Sequence, residues 1–384
     1  MKDFLFTDLI SFVGETPKKF TGYKKYVSTG AVNGNIIESD DIELVDYSSR
    51  PSRANLVACS GDILFAKMAE TEKTLLLDDE TEKNIYSTGF CAIRAKENII
   101  ESKALYYLLG SSLFLNQKNT NSSGATQRAI TNTGLSKIRI KLPTPEKQRE
   151  FCRIMDKVVN SIELRKKQLK CFDELTKSLF IEMFGDPVEN PKKWNISTLS
   201  TLGSCKNGMN FHIDDFGVEI NCIGVGDFKD YDVISNTHSL PIVSLNSMPT
   251  EDYLLKDEDI VFVRSNGNKT MVGRSIVIYP GENLVTFSGF CIRYRNEDSS
   301  IMVPYLLRVL KTESIRMQMY GRGANIQNLN QKILAFLKIP IPPMNLQEKF
   351  VQSVSSIDKS KLAVKKSLEE LEILKKSLMQ KYFA

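Results

Sequence analysis

Hydrophobic and polar positions follow two rhythms along this chain. Between residues 146 and 184 the apolar positions recur in steps of four and three, through Phe151, Met155, Val158, Ile162, Leu169, Phe172, Leu179 and Met183, with polar breaks at Arg165 and Thr176. A second stretch repeats this through Phe350, Val354, Ile357, Val364, Leu368, Leu371, Leu378 and Tyr382, with breaks at Lys361 and Lys375. Such a period, held over about five heptads, predicts two long helices of coiled-coil type. Thr144 supplies an N-cap ahead of Pro145, which suits a first helical position. Asn345 and Glu348 have capping-box spacing at the second start. The first helix stops at Gly185, with Pro187 behind it. At about 1.5 Å per residue each would run to roughly 58 Å, longer than a small domain is wide, so each serves as a spacer. Lone polar residues in a seam favour one partner in one register. We therefore expect the two helices to pack as an antiparallel coiled coil about a pseudo-twofold axis. The alternative is two amphipathic helices, each lying on its own domain.

Elsewhere the rhythm is short. Residues 26–28, 55–59, 62–67, 88–93 and 137–141 predict strands, separated by turn signals such as Asn33-Gly34 and Ser60-Gly61-Asp62. One helix is expected over 102–115, followed by a polar loop over 116–124. The result is an α+β domain.

The whole plan occurs twice. A shift of 199 positions takes Gly124 to Gly323, Leu135 to Leu334, Ile140 to Ile339, Pro143 to Pro342 and Gln148 to Gln347. The same shift takes Leu169 to Leu368, Leu175 to Leu374, Ser178 to Ser377 and Leu179 to Leu378. Further upstream, Asp259-Ile260-Val261-Phe262-Val263-Arg264 answers Asp62-Ile63-Leu64-Phe65-Ala66-Lys67, and Ser288-Gly289-Phe290-Cys291 answers Thr88-Gly89-Phe90-Cys91. Between these anchors the halves diverge, as expected if each head reads something different. The division is a first head over 1–144, a spacer helix over 145–185, a second head over 186–344 and a terminal spacer helix over 345–384.

Composition narrows the class. A chain of 384 residues with 42% hydrophobic and 25% charged residues is ordinary for a globular protein with two or three cores. No apolar run is long enough to span a membrane, and the acidic, interrupted start Met1-Lys2-Asp3-Phe4 is no signal peptide, so a cytoplasmic protein is expected. Seven cysteines without a Cys-x-x-Cys pair argue against structural zinc or a disulfide framework. Cys91 and Cys291 fit a small buried hydrophobe. His212 and His238 fit surface positions. The net charge of +5 permits nucleic-acid binding without demanding it, so partners would supply part of the positive surface.

Catalytic and cofactor signatures are missing. The sequence contains no Walker A loop, no Gly-x-Ser-x-Gly and no His-x-x-x-His spacing. Gly224-Val225-Gly226 lacks the third glycine of a dinucleotide turn, and Asn190-Pro191-Lys192-Lys193 fails as an amino-methyltransferase motif. The carboxylate pair Asp214-Asp215 fits a solvated loop. We expect no catalysis, no metal and no cofactor held by this chain.

Binding groups remain, at strand ends and loops. Lys67 and Arg264 close equivalent strands, and Arg264 opens into a loop with Asn266 and Lys269. Gln127 and Arg128 lie in one paired loop, Arg322 and Gln327 in the other. Arginine suits guanine, and asparagine or glutamine suits adenine, because their donors and acceptors match base edges in the major groove. Lys24, Lys25, Lys67 and Lys269 suit phosphates, which fix register without reading sequence.

Three phrases carry a family resemblance: Gly124-Ala125-Thr126-Gln127, Leu142-Pro143-Thr144-Pro145 with Gln148, and Met183-Phe184-Gly185-Asp186-Pro187 running on to Trp194. The second half answers with Pro340-Ile341-Pro342-Pro343 and Gln347, and with the longer Gly323-Ala324-Asn325-Ile326-Gln327. Over its whole length the chain resembles the specificity subunit of type I restriction–modification enzymes. That resemblance implies a non-catalytic subunit in which each head reads half of a split DNA target and the helices set the interval. It also implies docking of two methyltransferase subunits, which hold S-adenosylmethionine and modify adenine, and of two motor–nuclease subunits in the restriction enzyme. The alternatives are a coiled-coil scaffold that binds only proteins, and a DNA-binding regulator that acts alone.

Overall fold

The computed structural model describes residues 2–212, 214–228, 232–319 and 328–383. By its contacts the chain forms two compact units, Met1–Gln168 with Val364–Ala384, and Leu169–Ala363. The four-segment division read from the sequence follows the chain, whereas the compact units cut through both long helices.

Those helices are Pro145–Phe184 and Met344–Phe383, each 40 residues long. The first begins at the proline, with the Thr144 carbonyl accepting from Gln148 N at 3.0 Å. It stops at Gly185, whose φ of 78° turns the chain into the left-handed region that glycine tolerates. Trp194 closes that end, its ring N–H donating to the Phe184 carbonyl at 3.3 Å. The second start corrects the sequence expectation. Asn345 lies inside the helix rather than capping it, because Pro343 occupies the place of Thr144 and its carbonyl accepts from Gln347 N at 3.3 Å.

The first unit contains a four-stranded antiparallel sheet in the order Ile10–Phe12, Phe90–Ala95, Ile63–Ala66, Thr74–Leu76. A second sheet orders Glu43–Val45, Lys24–Val27, Ile85–Ser87 and Ala54–Leu56, with the middle pair parallel. Lys2–Leu5 pairs with Arg139–Leu142 at the foot of the long helix. The single helix expected over 102–115 is two, Ser102–Leu109 and Ser112–Thr120. Ser111 begins the second by accepting from Phe114 N at 3.2 Å, a cap at the point where Gly110 ends the first. The expected polar loop is therefore helical as far as Thr120.

In the second unit Gly203–Asn207, Cys291–Asn296, Asp259–Val263, Ser275–Ile278 and Val233–Ile234 form one sheet, and Ile242–Leu245, Val218–Ile223 and Val285–Phe287 another. Helices Val303–Lys311 and Glu313–Met319 stand where the first unit has its pair. One ion pair on a buried aspartate recurs. Asp62 accepts from Arg94 at 2.6 and 3.1 Å, and Asp259 accepts from Arg295 at 2.8 and 2.6 Å. Each pair ties two central strands together, and removing the arginine would leave a buried aspartate without its partner, Asp62 being 1% and Asp259 0% exposed.

Within each unit the beginning of one long helix packs on the end of the other, so the two run antiparallel. In the first, the Phe151 ring lies 4.6 Å from Tyr382 and 5.0 Å from Phe383. In the second, Phe350 lies 5.6 Å from Phe180 and 5.4 Å from Phe184. Polar contacts follow the same order: Lys166 meets Glu372 at 3.4 Å in the first unit, and Lys361 meets Asp173 at 2.6 Å in the second. Arg165 bonds Gln168 of its own helix at 2.9 Å. Of the expected seam, Phe151, Met155, Val158, Ile162, Phe350, Val354 and Val364 are buried. Leu169, Phe172, Leu179, Ile357, Leu368, Leu371 and Leu378 are half-buried. Toward each helix end the buried stripe slips one position, to Phe180 and Phe184 and to Met379 and Phe383. A helix of 3.6 residues per turn drifts from a strict seven-residue repeat, and here the head's core takes over the helix end.

One glutamine ties each head to its long helix. Gln148 Nε2 donates to the carbonyls of Ile99 and Pro143, both at 3.1 Å, and its Oε1 accepts from Glu101 N at 3.4 Å. Gln347 repeats this, with Nε2 donating to Ser300 and Pro342 at 2.9 Å and Oε1 accepting from Met302 N at 2.8 Å. Both side chains are buried, so all of their bonds are made within the protein.

Candidate nucleic-acid interface

In the first head, the strand Ile63–Ala66 runs out into a loop that returns as Thr74–Leu76. Lys67 opens it, donating its N–H to the Gly89 carbonyl at 3.0 Å and accepting from Ile130 N at 2.8 Å. Ala69 N donates to the Arg128 carbonyl at 2.9 Å, and Met68 bridges Ala129. Lys67, Gln127 and Arg128, chosen from sequence, therefore sit on two loops knitted into one platform. Gln127 is exposed at the tip. The turn beneath it demands glycine: Gly124 has φ 131°, and a Cβ there would lie 2.4 Å from the Gln127 carbonyl oxygen. Arg128 is exposed but part of its guanidinium holds the loop, with Nη2 donating to Asn119 O at 2.7 Å and Ser122 O at 3.4 Å.

Beneath the platform is a residue that sequence reasoning missed. Lys118 is 1% exposed, and its ammonium donates to the carbonyls of Ala66 at 3.3 Å, Met68 at 3.0 Å and Thr71 at 2.6 Å. Three acceptors for three donors satisfy the group completely. Burial pushes its pKa down to about 8. Its signal was a lysine four residues after Phe114, in the buried stripe of Ser112–Thr120. Lys24 and Lys25 lie on a different element, at the start of Lys24–Val27, where the Lys24 ammonium lies 5.3 Å from the Phe20 ring centre.

The second head builds the same place differently. Arg264 N donates to the Phe290 carbonyl at 2.8 Å, its Nη1 donates to the Gly289 carbonyl at 3.2 Å, and its own carbonyl accepts from Leu329 N at 2.8 Å. Ser265 bridges Asn328. Asn266 is half-buried, and its Oδ1 accepts from Asn268 N at 2.7 Å, so it shapes the loop that presents Lys269. Arg316 anchors that loop from behind, donating to the carbonyls of Thr270 and Val272 at 3.2 and 3.1 Å. Arg322 and Gln327 lie outside the described residues.

The repeated phrase Gly-Phe-Cys is shifted by one residue between the heads. Lys67 bonds Gly89, whereas Arg264 bonds Phe290. In the first head Phe90 faces Ala66; in the second, Cys291 faces Val263. The Asp–Arg pairs hold both ladders, and the second strand has one more residue between Cys291 and Arg295 than the first has between Cys91 and Arg94. Both thiols stay buried, and burial pushes Cys91 up to about 11 and raises Cys291 as well, so neither is a nucleophile. His212 and His238 are exposed. Among the described residues no group of three or more His, Cys, Asp or Glu is placed to hold a metal ion, and no helix is long and apolar enough to cross a membrane.

The StySPI type I restriction enzyme specificity subunit of Salmonella potsdam is 23% identical over 316 residues, covering 77% of this chain and 67% of the relative. The MjaVIII specificity subunit of Methanocaldococcus jannaschii is 22% identical over 397 residues, covering 97% of this chain and 89% of the relative. Among solved structures, a chain of a type I R-M system described for its complex assembly and conformational transition matches with a TM-score of 0.61 at 21% identity, over 99% of this chain and 97% of that one. The S subunit of a type I restriction-modification system from M. genitalium matches with a TM-score of 0.56 at 17% identity, over 100% of this chain and 96% of that one. These two share the fold. A family model described as "Type I restriction modification DNA specificity domain" matches residues 10–171 and again 191–373, so this chain, with one such domain in each half, belongs to the type I restriction–modification DNA specificity family.

Proposed function

We propose that each head reads one half of a bipartite duplex target and that the paired helices set the interval between the halves. The observation that carries this is the duplicated platform, where a cationic strand end, Lys67 or Arg264, is bonded to a second loop at the same point of each fold. Lysines there hold phosphates, while the exposed amide of Gln127 and the guanidinium of Arg264 suit base edges. Heads held about one helical turn apart, ~34–36 Å, would meet one face of the duplex. The chain supplies no chemistry of its own. Methyltransferase subunits docked on the helices bind S-adenosylmethionine and modify adenine, and motor–nuclease subunits complete the restriction enzyme.

Leu175 and Leu374, equivalent under the repeat, are exposed on the helices and offer two like contacts to two like subunits. The test is a map of methylated adenines made by the complex of this chain with its methyltransferase. A split motif with one fixed gap supports the reading; methylation without sequence preference, or no DNA retention in a gel shift with the methyltransferase present, refutes it.

A further inference from the structure

The one-residue shift of Gly-Phe-Cys changes the fate of its phenylalanine. Phe90 is 2% exposed, packed edge-on to Tyr86 with ring centres 6.3 Å apart. Phe290 is 62% exposed. It occupies the place that Gly89 holds in the first head, since its carbonyl is the one that accepts from Arg264. A one-residue slip in a strand moves a side chain to the opposite face, and here it carries a large apolar ring out of the core. The ring is not on a loose loop. Its carbonyl accepts from Arg264 N at 2.8 Å and Ser265 N at 3.4 Å, and its own N–H donates to Ser288 Oγ at 3.3 Å. Gly289, just before it, donates to the Met209 carbonyl at 2.6 Å.

We propose that Phe290 is a specificity-determining residue of the second head, making an apolar contact with a thymine methyl group in its half of the target. This rests on the DNA-reading function proposed above. An exposed phenylalanine alone means little, because much of any protein surface is apolar. Its setting decides the matter. The backbone that carries it is bonded to Arg264 and Ser265, so the ring is held at the root of the loop that carries Asn266 and Lys269, groups suited to base edges and phosphates. The only base-pair feature in the major groove that rewards an apolar group is the thymine C5-methyl. The first head, with glycine at this place, reads its half without such a contact.

The test compares wild type, Phe290→Ala and Phe290→Tyr, each assembled with the methyltransferase, by methylated-adenine mapping and by rates on single-base variants of the target. Wild type should show a split motif with a thymine in one half. Phe290→Ala should lose about tenfold discrimination at that thymine, the other half and the gap being unchanged, and Phe290→Tyr should restore it. An unchanged motif and unchanged rates in Phe290→Ala overturn the proposal, as does loss of the methyltransferase from the Phe290→Ala complex, which makes the ring a protein contact. Thermal unfolding of Phe290→Ala should match wild type, since the ring is outside the core. If wild type itself shows no split motif, the DNA-reading function fails first, a result distinct from the others.

Discussion

Lys118 shows how one buried side chain can shape the loops of the proposed reading surface from beneath. Its ammonium holds the carbonyls of Ala66, Met68 and Thr71, which bracket the turn that follows Lys67. Lys118→Met keeps most of the apolar stem and leaves those carbonyls without a donor. We expect a loss of about 1–3 kcal/mol in urea unfolding, the cost of buried polar groups left unpaired. Amide exchange should rise around Ala69 and Glu70 and not in the second head. Unchanged exchange there would mean that the clamp is redundant with the Ala69–Arg128 bond. Phe90 and Phe290 make the complementary point, because two identical tripeptides present opposite faces once the strand register differs by one.

Among elements, the long helices are the parts common to both compact units. Their cross-helix partners are set by register: Lys361 with Asp173 in one unit, Lys166 with Glu372 in the other. Gln148 and Gln347 fix how each head sits on its own segment of helix, by bonding both the first turn of a head helix and the strand exit before the spacer. Deleting one heptad from each helix at facing positions removes about 10 Å of spacer while keeping the seam in phase. The preferred gap between half-sites should shorten by about three base pairs at ~3.4 Å each, read from methylation rates on targets of graded gap. A gap preference that stays put, with the protein folded, would deny the helices their role as a ruler. Deleting a heptad from one helix alone should break the ion-pair register and weaken the pairing.

For the whole molecule, duplication with divergence implies that the heads are separable readers. Each has its own sheets, its own buried aspartate paired with an arginine and its own glutamine tie. Replacing the head over 186–344 with that of another family member should change one half of the methylated motif and leave the other half intact. Alteration of both halves would show that the heads are read as a unit.

Periodicity by itself determined the two long helices and the repeat that binds the halves, because steps of four and three held over so many residues mark one helix face; their antiparallel pairing was an expectation that the contacts between helix beginnings and ends decided. Proline and glycine set the ends of the first helix, at Pro145 and Gly185, since their backbone limits are local. Tertiary structure decided the rest. Asn345 lost its cap to Pro343, and the stripe slipped to Phe180, Phe184, Met379 and Phe383 because each head's core claims the helix end. Which of two identical phenylalanines faces outward was settled by a ladder locked by Asp62–Arg94 in one head and Asp259–Arg295 in the other, contacts between residues more than thirty positions apart that no local pattern encodes.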